Sequence, residues 1–146
     1  MPRETTCLVF IILYNMFMKF FVTGRSNNYE RVVEAFNQIE KSGHEITLRW
    51  TDLPMIKPYI DNQAKAAEYA SQQIAGILNA DVYILYAHVD GTGVFSEFGA
   101  ALMRATEGHL KIYAIGDEEV KAASLFHYHP MILWRNSLSE ILLEVG

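Results

Sequence analysis

The sequence has little cysteine, little positive charge and no low-complexity segment. Its single cysteine, Cys7, excludes an internal disulfide and fits a reducing compartment, so we expect a cytoplasmic protein. The 12 basic side chains are outnumbered by 17 acidic ones, and the net charge is −5. Because no basic stripe is present, nucleic acid is not an expected partner.

Long hydrophobic runs are also scarce. The one candidate, Cys7 to Phe21, is interrupted by Asn15 and Lys19 and is short for a membrane span, which needs roughly 20 residues. A secretion signal is disfavoured, because cleavage would remove the first core strand. Methionines at positions 16 and 18 precede that strand, so we expect residues 1–17 to be an extension upstream of the natural start. The alternative is a membrane anchor.

What remains is an ordered globular chain with 51% hydrophobic and 12% aromatic residues. Its length fits one domain over residues 18–146. Strands alternate with helices, which predicts a flavodoxin-like or Rossmann-like three-layer α/β sandwich with about five parallel strands. The predicted strands are Lys19–Thr23, Glu45–Trp50, Val82–Tyr86, Leu110–Ile115 and Met131–Trp134.

Helices are predicted between these strands. Ser26 or Asn27 is expected to cap the first, which carries an apolar stripe, and Ser137 to cap the last, which ends at Val145. Asn62 to Asn79 reads as a long helix whose apolar residues are available for burial: Ala67, Tyr69, Ala70, Ile74, Ile77 and Leu78.

The most informative stretch is the strand–loop–helix–strand unit from Asp81 to Gly116. Gly91 and Gly93 allow positive φ and a close approach of the backbone to a ligand. Glu97 follows one turn into the helix, at the carboxyl end of a parallel strand, where open α/β sheets bind ligands. Alone, a glutamate near a helix start is also favoured by the helix dipole.

Two other loops are expected at the same edge of the sheet. Gly24, Arg25 and Ser26 open a turn that suits a phosphate or another anion, although most such turns bind nothing. Trp50 offers a ring for stacking on a planar base, and Asp52 a carboxylate for its amino edge. The alternative for Trp50 is a half-buried core residue.

The segment Gly91-Thr92-Gly93-Val94-Phe95-Ser96-Glu97-Phe98-Gly99 resembles the G-x-G-x-x-x-E-[LF]-G signature of the nucleoside 2-deoxyribosyltransferase family, which includes deoxynucleoside monophosphate N-glycosidases. The stretches GHEITLRWTD, NADVYIL, KIYAIG and FHYHP extend the resemblance from residue 18 to the C-terminus. It implies cleavage or transfer at an N-glycosidic bond of a nucleoside or its 5′-monophosphate, with Glu97 attacking C1′ as the nucleophile.

One position departs from the family pattern. The resemblance places an aspartate that protonates or orients the leaving base at Gln73, and an amide cannot act as an acid. Proton transfer is then rerouted through Asp90 or Asp52, or the chain is a nucleotide-binding protein without turnover. Asp90, one residue off the family's sugar-binding aspartate, is expected to hold a sugar hydroxyl.

The resemblance implies no cofactor and a homo-oligomer, dimer or higher, with a small nucleoside or nucleotide as partner. His127 and His129 flank Tyr128, but with no third ligand at matching spacing we expect packing rather than a metal site. The cytokinin-releasing phosphoribohydrolases also place a glutamate after a glycine loop, but this chain lacks their doubled glycine.

Overall fold

Five parallel strands form the centre of the molecule in a computed structural model that describes residues 17–146. The strands are β1 Lys19–Thr23, β2 Glu45–Ile46, β3 Val82–Tyr86, β4 Lys111–Ile115 and β5 Ile132–Arg135. Their order across the sheet is β2-β1-β3-β4-β5, with every neighbouring pair parallel. The predicted flavodoxin-like sandwich is confirmed.

Helices cover both faces of this sheet. They are α1 Tyr29–Lys41, α2 Gln63–Asn79, α3 Thr92–Thr106, α4 Glu118–Ala122 and α5 Leu138–Val145. Short 3-10 turns lie in the connections at Ser26–Asn28, Trp50–Asp52, Tyr59–Asp61 and Leu125–Tyr128.

The central strands are continuous apolar runs because both of their faces are buried. Alternate residues of β1 and β3 feed two core clusters. Phe20 and Ile84 pack with α1 and α5 on one face, whereas Phe21 and Tyr83 pack with α2 and α3 on the other. The carboxyl ends of β1 and β3 therefore lie side by side, with Thr23 paired to Leu85.

The predicted second strand is too long. Strand pairing stops after Ile46, and Trp50–Asp52 forms a 3-10 turn instead. The Thr47 backbone N–H still donates to the Phe20 carbonyl at 2.9 Å, but the next β1 carbonyl, that of Val22, accepts from the Trp50 indole N–H at 2.8 Å. The Trp50 side chain thus occupies a β1 carbonyl that a backbone N–H would have bonded if the strand had continued.

The two capping predictions had opposite outcomes. Neither Ser26 nor Asn27 caps α1: both lie in the preceding 3-10 turn, and Asn28 precedes the helix without a side-chain cap. Ser137 does cap the last helix, since its hydroxyl accepts from the Glu140 N–H at 3.2 Å.

Burial on α2 is narrower than its composition suggests. Gly76 and Ile77 are buried, whereas Ile74 and Leu78 are exposed. The helix approaches the sheet through Gly76, where an added Cβ would lie 2.9 Å from the ring of Phe21. Several of its other residues line a pocket described below.

Residues 1–16 lie outside the described part of the chain, and so does most of the predicted N-terminal extension. Within residues 17–146, no helix has both the length and the apolar character needed to cross a bilayer.

Candidate active site

A pocket of about 810 Å³ opens at the carboxyl edge of the sheet, beside β1 and β3. All three of the loops considered above contribute to it. Ser26 comes from the first, Trp50 and Thr51 come from the second, and Gly93, Ser96 and Glu97 come from the start of α3. Helix α2 closes one side. A concave pocket at this edge is where parallel α/β sheets bind small ligands.

Glu97 lies at the sheet end of the pocket. Its Oε2 accepts a hydrogen bond from the hydroxyl of Thr23, the buried last residue of β1. Burial raises the pKa of the Glu97 carboxyl above its ordinary value, and the hydrogen bond from Thr23 opposes part of that rise. The carboxylate is therefore held in one place but poorly solvated, which suits a nucleophile or a base.

Tyr83 on β3 is fully buried and close to this carboxylate. Its ring stacks on Phe21 with centroids 5.7 Å apart, and its hydroxyl lies near that of Thr23. Burial raises the pKa of Tyr83 well above its ordinary value, and the nearby Glu97 charge raises it further. The phenol therefore stays neutral.

Aromatic rings form much of the pocket wall. Tyr29, Trp50, Tyr59 and Tyr69 all line it. Trp50 is half-buried, packs against both core clusters and is fixed by its bond to β1. It is both a core residue and a surface for a planar ring, because one part of its side chain packs inward and another faces the pocket.

The segment between the second 3-10 turn and α2 forms a flap over the pocket. Leu53, Pro54, Met55, Ile56 and Lys57 line the cavity. Lys57 is the basic side chain among the residues that line it, and its Nζ lies 5.8 Å from the centroid of the Tyr59 ring. A cover that carries a cationic side chain suits a ligand that carries an anion.

Two buried polar atoms in this pocket lack partners within the described residues. They are Oε1 of Gln73 on α2 and Oγ1 of Thr51 in the second loop. Buried polar groups without partners are rare in folded proteins, and each needs an explanation such as a ligand or an ordered water. Thr51 and Gln73 line the same cavity as Glu97 through other atoms, whereas these two oxygens are shielded from it.

A separate polar cluster lies beside the pocket. Arg25 forms an ion pair with Asp90, and Nδ1 of His88 lies 2.9 Å from Oδ1 of Asp90. Asp52 is held by Arg49 at 3.3 Å. Arg25, Asp52 and Asp90, three of the predicted site residues, are thus paired with protein charges and do not line the pocket.

The predicted glycines differ in their surroundings. Gly91 precedes α3 with φ of 120°, a conformation that other residues rarely adopt. Gly93 lines the pocket, and nothing lies within 4 Å of an added Cβ there. Gly24 is a packing position, since a Cβ would lie 3.1 Å from Val32.

The histidine pair is not arranged as a metal site. His127 is buried among Phe95, Phe98 and Trp134, and its Nδ1 lies 2.9 Å from the Val120 carbonyl oxygen. Nδ1 of His129 accepts from the Met131 N–H at 3.2 Å. Among residues 17–146, no group of three or more His, Cys, Asp or Glu side chains could hold a metal ion.

Several pocket residues were missed from the sequence. Thr23 had a signal, being the one polar residue that ends an otherwise apolar strand at the carboxyl edge. Lys57 lies between Pro54 and Pro58, which mark a loop long enough to be a functional flap. Thr51 and Tyr69 had no signal, because their place in the pocket depends on how the flap and α2 fold over the sheet.

The fold and pocket together define a flavodoxin-like α/β protein with a pocket at the carboxyl edge of its sheet, in which Glu97 is the one carboxylate among the lining residues that the structure describes. No protein-family model matches the chain, and no curated protein matches its sequence.

Solved structures do match. One is the CMP N-glycosidase BcmB of Clostridium botulinum, with 17% identity over 87% of this chain and 97% of that one, and a TM-score of 0.50. Another is a conserved protein from Enterococcus faecalis V583, with 15% identity over 88% of this chain and 97% of that one, and a TM-score of 0.47. At this identity, the first similarity shows a shared fold.

Proposed function

We propose that the protein cleaves the N-glycosidic bond of a nucleoside or its 5′-monophosphate. The observation that carries the proposal is Glu97, a half-buried carboxylate positioned by Thr23 at the end of a pocket that aromatic rings line. The G-x-G-x-x-x-E-F-G segment, and a shared fold with a protein described as a CMP N-glycosidase, support it.

The proposed reaction begins with the base between aromatic rings of the pocket and C1′ of the sugar facing Glu97. The carboxylate attacks C1′ as the base departs, so that an oxocarbenium-like transition state collapses to a glycosyl ester. Water then attacks C1′ and releases Glu97. Because the carboxylate is already desolvated and hydrogen-bonded, little reorganisation is needed at the moment of attack.

For a phosphorylated substrate, the groups available to the phosphate are Ser26, Lys57 and, after release from Asp90, Arg25. These favour a 5′-monophosphate substrate, and with it hydrolysis over transfer to a second base. Cytoplasmic location and homo-oligomeric assembly stay predictions.

A second candidate function has its own observation. Gln73, which cannot donate a proton, lines the pocket where the family resemblance places an acid. A nucleotide-binding protein without turnover would have this arrangement. It would bind nucleotides tightly and release no base.

The test incubates the protein with a panel of nucleosides and their 5′-monophosphates, with and without a second free base. The released base is measured by chromatography. We expect release by the wild type and its loss in Glu97→Ala. Ser96→Ala, which changes a neighbouring pocket residue whose hydroxyl donates to the Thr92 carbonyl, is the matched control. Full activity of Glu97→Ala would refute the assignment. Nucleotide-dependent thermal stabilisation with no release would establish the second function instead.

A further inference from the structure

The two carboxylate oxygens of Glu97 have different surroundings. Oε2 accepts a hydrogen bond from the hydroxyl of Thr23, the buried last residue of β1. Oε1 accepts no hydrogen bond from the described residues and is not fully buried, and Glu97 lines the pocket. One oxygen is therefore anchored to the sheet, and the other can meet a ligand.

The Thr23 hydroxyl can accept a hydrogen bond as well as donate one. Its hydrogen is directed to Glu97, and a hydroxyl oxygen has two lone pairs that can accept. A donor beside this oxygen would polarise the hydroxyl and strengthen its bond to the carboxylate, because hydrogen bonds in a chain reinforce one another.

Tyr83 on the neighbouring strand β3 is placed to be that donor. It pairs with Phe21, so its side chain and that of Thr23, two residues after Phe21, emerge on the same face of the sheet, which α3 covers. The ring is fully buried and stacks on Phe21, which fixes its direction. Its hydroxyl lies near that of Thr23.

The Tyr83 hydroxyl needs an acceptor. It is inaccessible to solvent, and no described group meets it in full hydrogen-bond geometry. Buried polar groups without partners are rare and costly. The ring belongs to an apolar core cluster with Leu85, Phe98 and Leu102, so the neighbouring Thr23 oxygen is the acceptor available to it. Hydrogen bonds of active sites are often poorly aligned in the empty enzyme and tighten when a ligand binds.

We propose that Tyr83 is a positioning residue for Glu97 and acts through Thr23. The phenol donates to Oγ1 of Thr23, whose hydroxyl donates to Oε2 of Glu97, and Oε1 is left to attack C1′. This chain of donors stabilises the ionised carboxyl against the effect of burial. Its role in catalysis rests on the proposed function, whereas the hydrogen-bond chain itself does not.

Other titratable groups surround Glu97 on several elements. Phenol and ammonium groups line the same pocket from α1, the turn before α2, α2 and the flap: Tyr29, Tyr59, Tyr69 and Lys57. A charged cluster lies beside the pocket: Arg25, His88 and Asp90. Phenols and ammonium groups ordinarily titrate well above neutral pH. Among the described lining residues, Glu97 is therefore the group that titrates in the acid range.

The experiment measures the ionisation of Glu97 both directly and through activity. The side-chain carboxyl carbon is followed by NMR between about pH 4 and 9 in protein labelled with carbon-13 glutamate, and Glu97→Gln identifies its resonance. The kcat/KM for base release is measured over the same range. Tyr83→Phe removes the phenol hydroxyl and keeps the stacked ring.

Tyr83→Phe should move the titration of Glu97, and with it the acid limb of the activity profile, to higher pH. Where Glu97 is largely protonated, the carboxylate population should fall by about 2- to 5-fold, as expected when a bond to a charged group is weakened by up to about 30%. Tyr113→Phe is the matched control. Tyr113 is also a fully buried tyrosine with a buried hydroxyl, but it packs in the other core cluster, so its loss should leave the titration of Glu97 unchanged.

A double-mutant cycle shows whether Tyr83 acts through Thr23. In Thr23→Val the chain is already broken, so the addition of Tyr83→Phe should shift the titration no further. Thr23→Ser keeps the hydroxyl and should retain the response to Tyr83→Phe. A purely structural contribution of Tyr83 would lower the Tm without moving the pH profile.

The outcomes separate this inference from the proposed function. Additive shifts in the double variant, or a titration of Glu97 in Tyr83→Phe that matches the wild type, overturn the inference. No base release from any substrate, together with the expected NMR shifts, overturns the proposed function and leaves the hydrogen-bond chain in place.

If Tyr83→Phe does not fold, as judged by its melting curve, the wild type decides. The ring carbon of Tyr83 that bears the hydroxyl should then shift in NMR spectra at the pH where Glu97 titrates, and that of Tyr113 should not. The absence of this shift at Tyr83 overturns the inference.

Discussion

The hydrogen bond from Thr23 to Glu97 makes a quantitative prediction about pH dependence. Thr23→Val keeps the branched shape at the end of β1 but removes the hydroxyl that donates to Oε2. A hydrogen bond to a charged group contributes about 1.5–3 kcal/mol. Its loss favours the protonated carboxyl, because the bond lowers the pKa of Glu97 against the rise caused by burial.

The expected effect follows from the ionised fraction. Where Glu97 is largely protonated in both proteins, a loss of about 1.5–3 kcal/mol reduces the carboxylate population, and hence kcat/KM, by about 10- to 100-fold. At pH values where both proteins are ionised, the two rates converge. The acid limb of the profile therefore moves to higher pH in the variant.

The assay is kcat/KM for base release between about pH 4 and 9, where carboxyl groups with raised pKa values titrate. Thr47→Val is the matched control. Like Thr23→Val, it removes a threonine hydroxyl that donates a hydrogen bond. In this case the acceptor is the Gly76 carbonyl, so the surroundings of Glu97 do not change. A ratio of wild type to Thr23→Val that is the same at every pH would contradict the idea that this bond tunes the carboxylate.

Three further predictions concern stability and ligand preference. Burial raises the pKa of Glu97, so the folded protein binds a proton on this carboxyl more tightly than the unfolded chain does. The free energy of unfolding therefore falls as the pH rises from the ordinary carboxyl pKa to the raised pKa of the folded state. Glu97→Gln should therefore melt higher than the wild type at neutral pH, with the gain vanishing in acid, while base release is lost. Gly76→Ala should lower the free energy of unfolding. The new Cβ would lie 2.9 Å from the ring of Phe21, and such overpacking costs about 1–3 kcal/mol. The better helix propensity of alanine offsets about 1 kcal/mol of that cost. Asp90→Asn frees Arg25 and should lower KM for 5′-monophosphates more than for nucleosides.

Each of these has a control and a contradicting result. The control for Gly76→Ala is Gly99→Ala on α3, where nothing lies within 4 Å of the new Cβ and the substitution should stabilise the protein by about 0.5–1 kcal/mol. Equal changes in stability for Gly76→Ala and Gly99→Ala would refute the packing argument. A difference in melting temperature between Glu97→Gln and the wild type that is the same at every pH would refute the burial argument. For Asp90→Asn, the addition of salt should shrink the advantage for monophosphates, since exposed charges are screened.

The sequence was sufficient for the elements whose physics is local. Strand β3 was predicted at its observed bounds because a short run rich in Val, Ile and Tyr, bounded by Asp81 and followed by a glycine loop, reads as a strand buried on both faces. The cap at Ser137 was also predictable, since one hydroxyl satisfies one backbone N–H three residues later. The position of Glu97 near the carboxyl edge followed from chain order, because a parallel strand and its crossover helix must meet there.

Other features depended on residues far apart in the chain. The second strand ends early because Thr47 and Trp50 find acceptors on α2 and β1, which no local pattern reveals. The first helix lacks a side-chain cap because a 3-10 turn intervenes.

The sequence by itself determined the layered fold, the parallel direction of the strands and the edge of the sheet near which Glu97 lies, because periodicity and chain direction fix them. Tertiary structure alone decided what surrounds that carboxylate. It placed Thr23 against Glu97, brought Gln73 and Thr51 into the same wall, and left Asp90 paired with Arg25 outside the pocket. Hydrogen bonds and charges act over a few ångströms in space, and those distances exist only once the chain has folded.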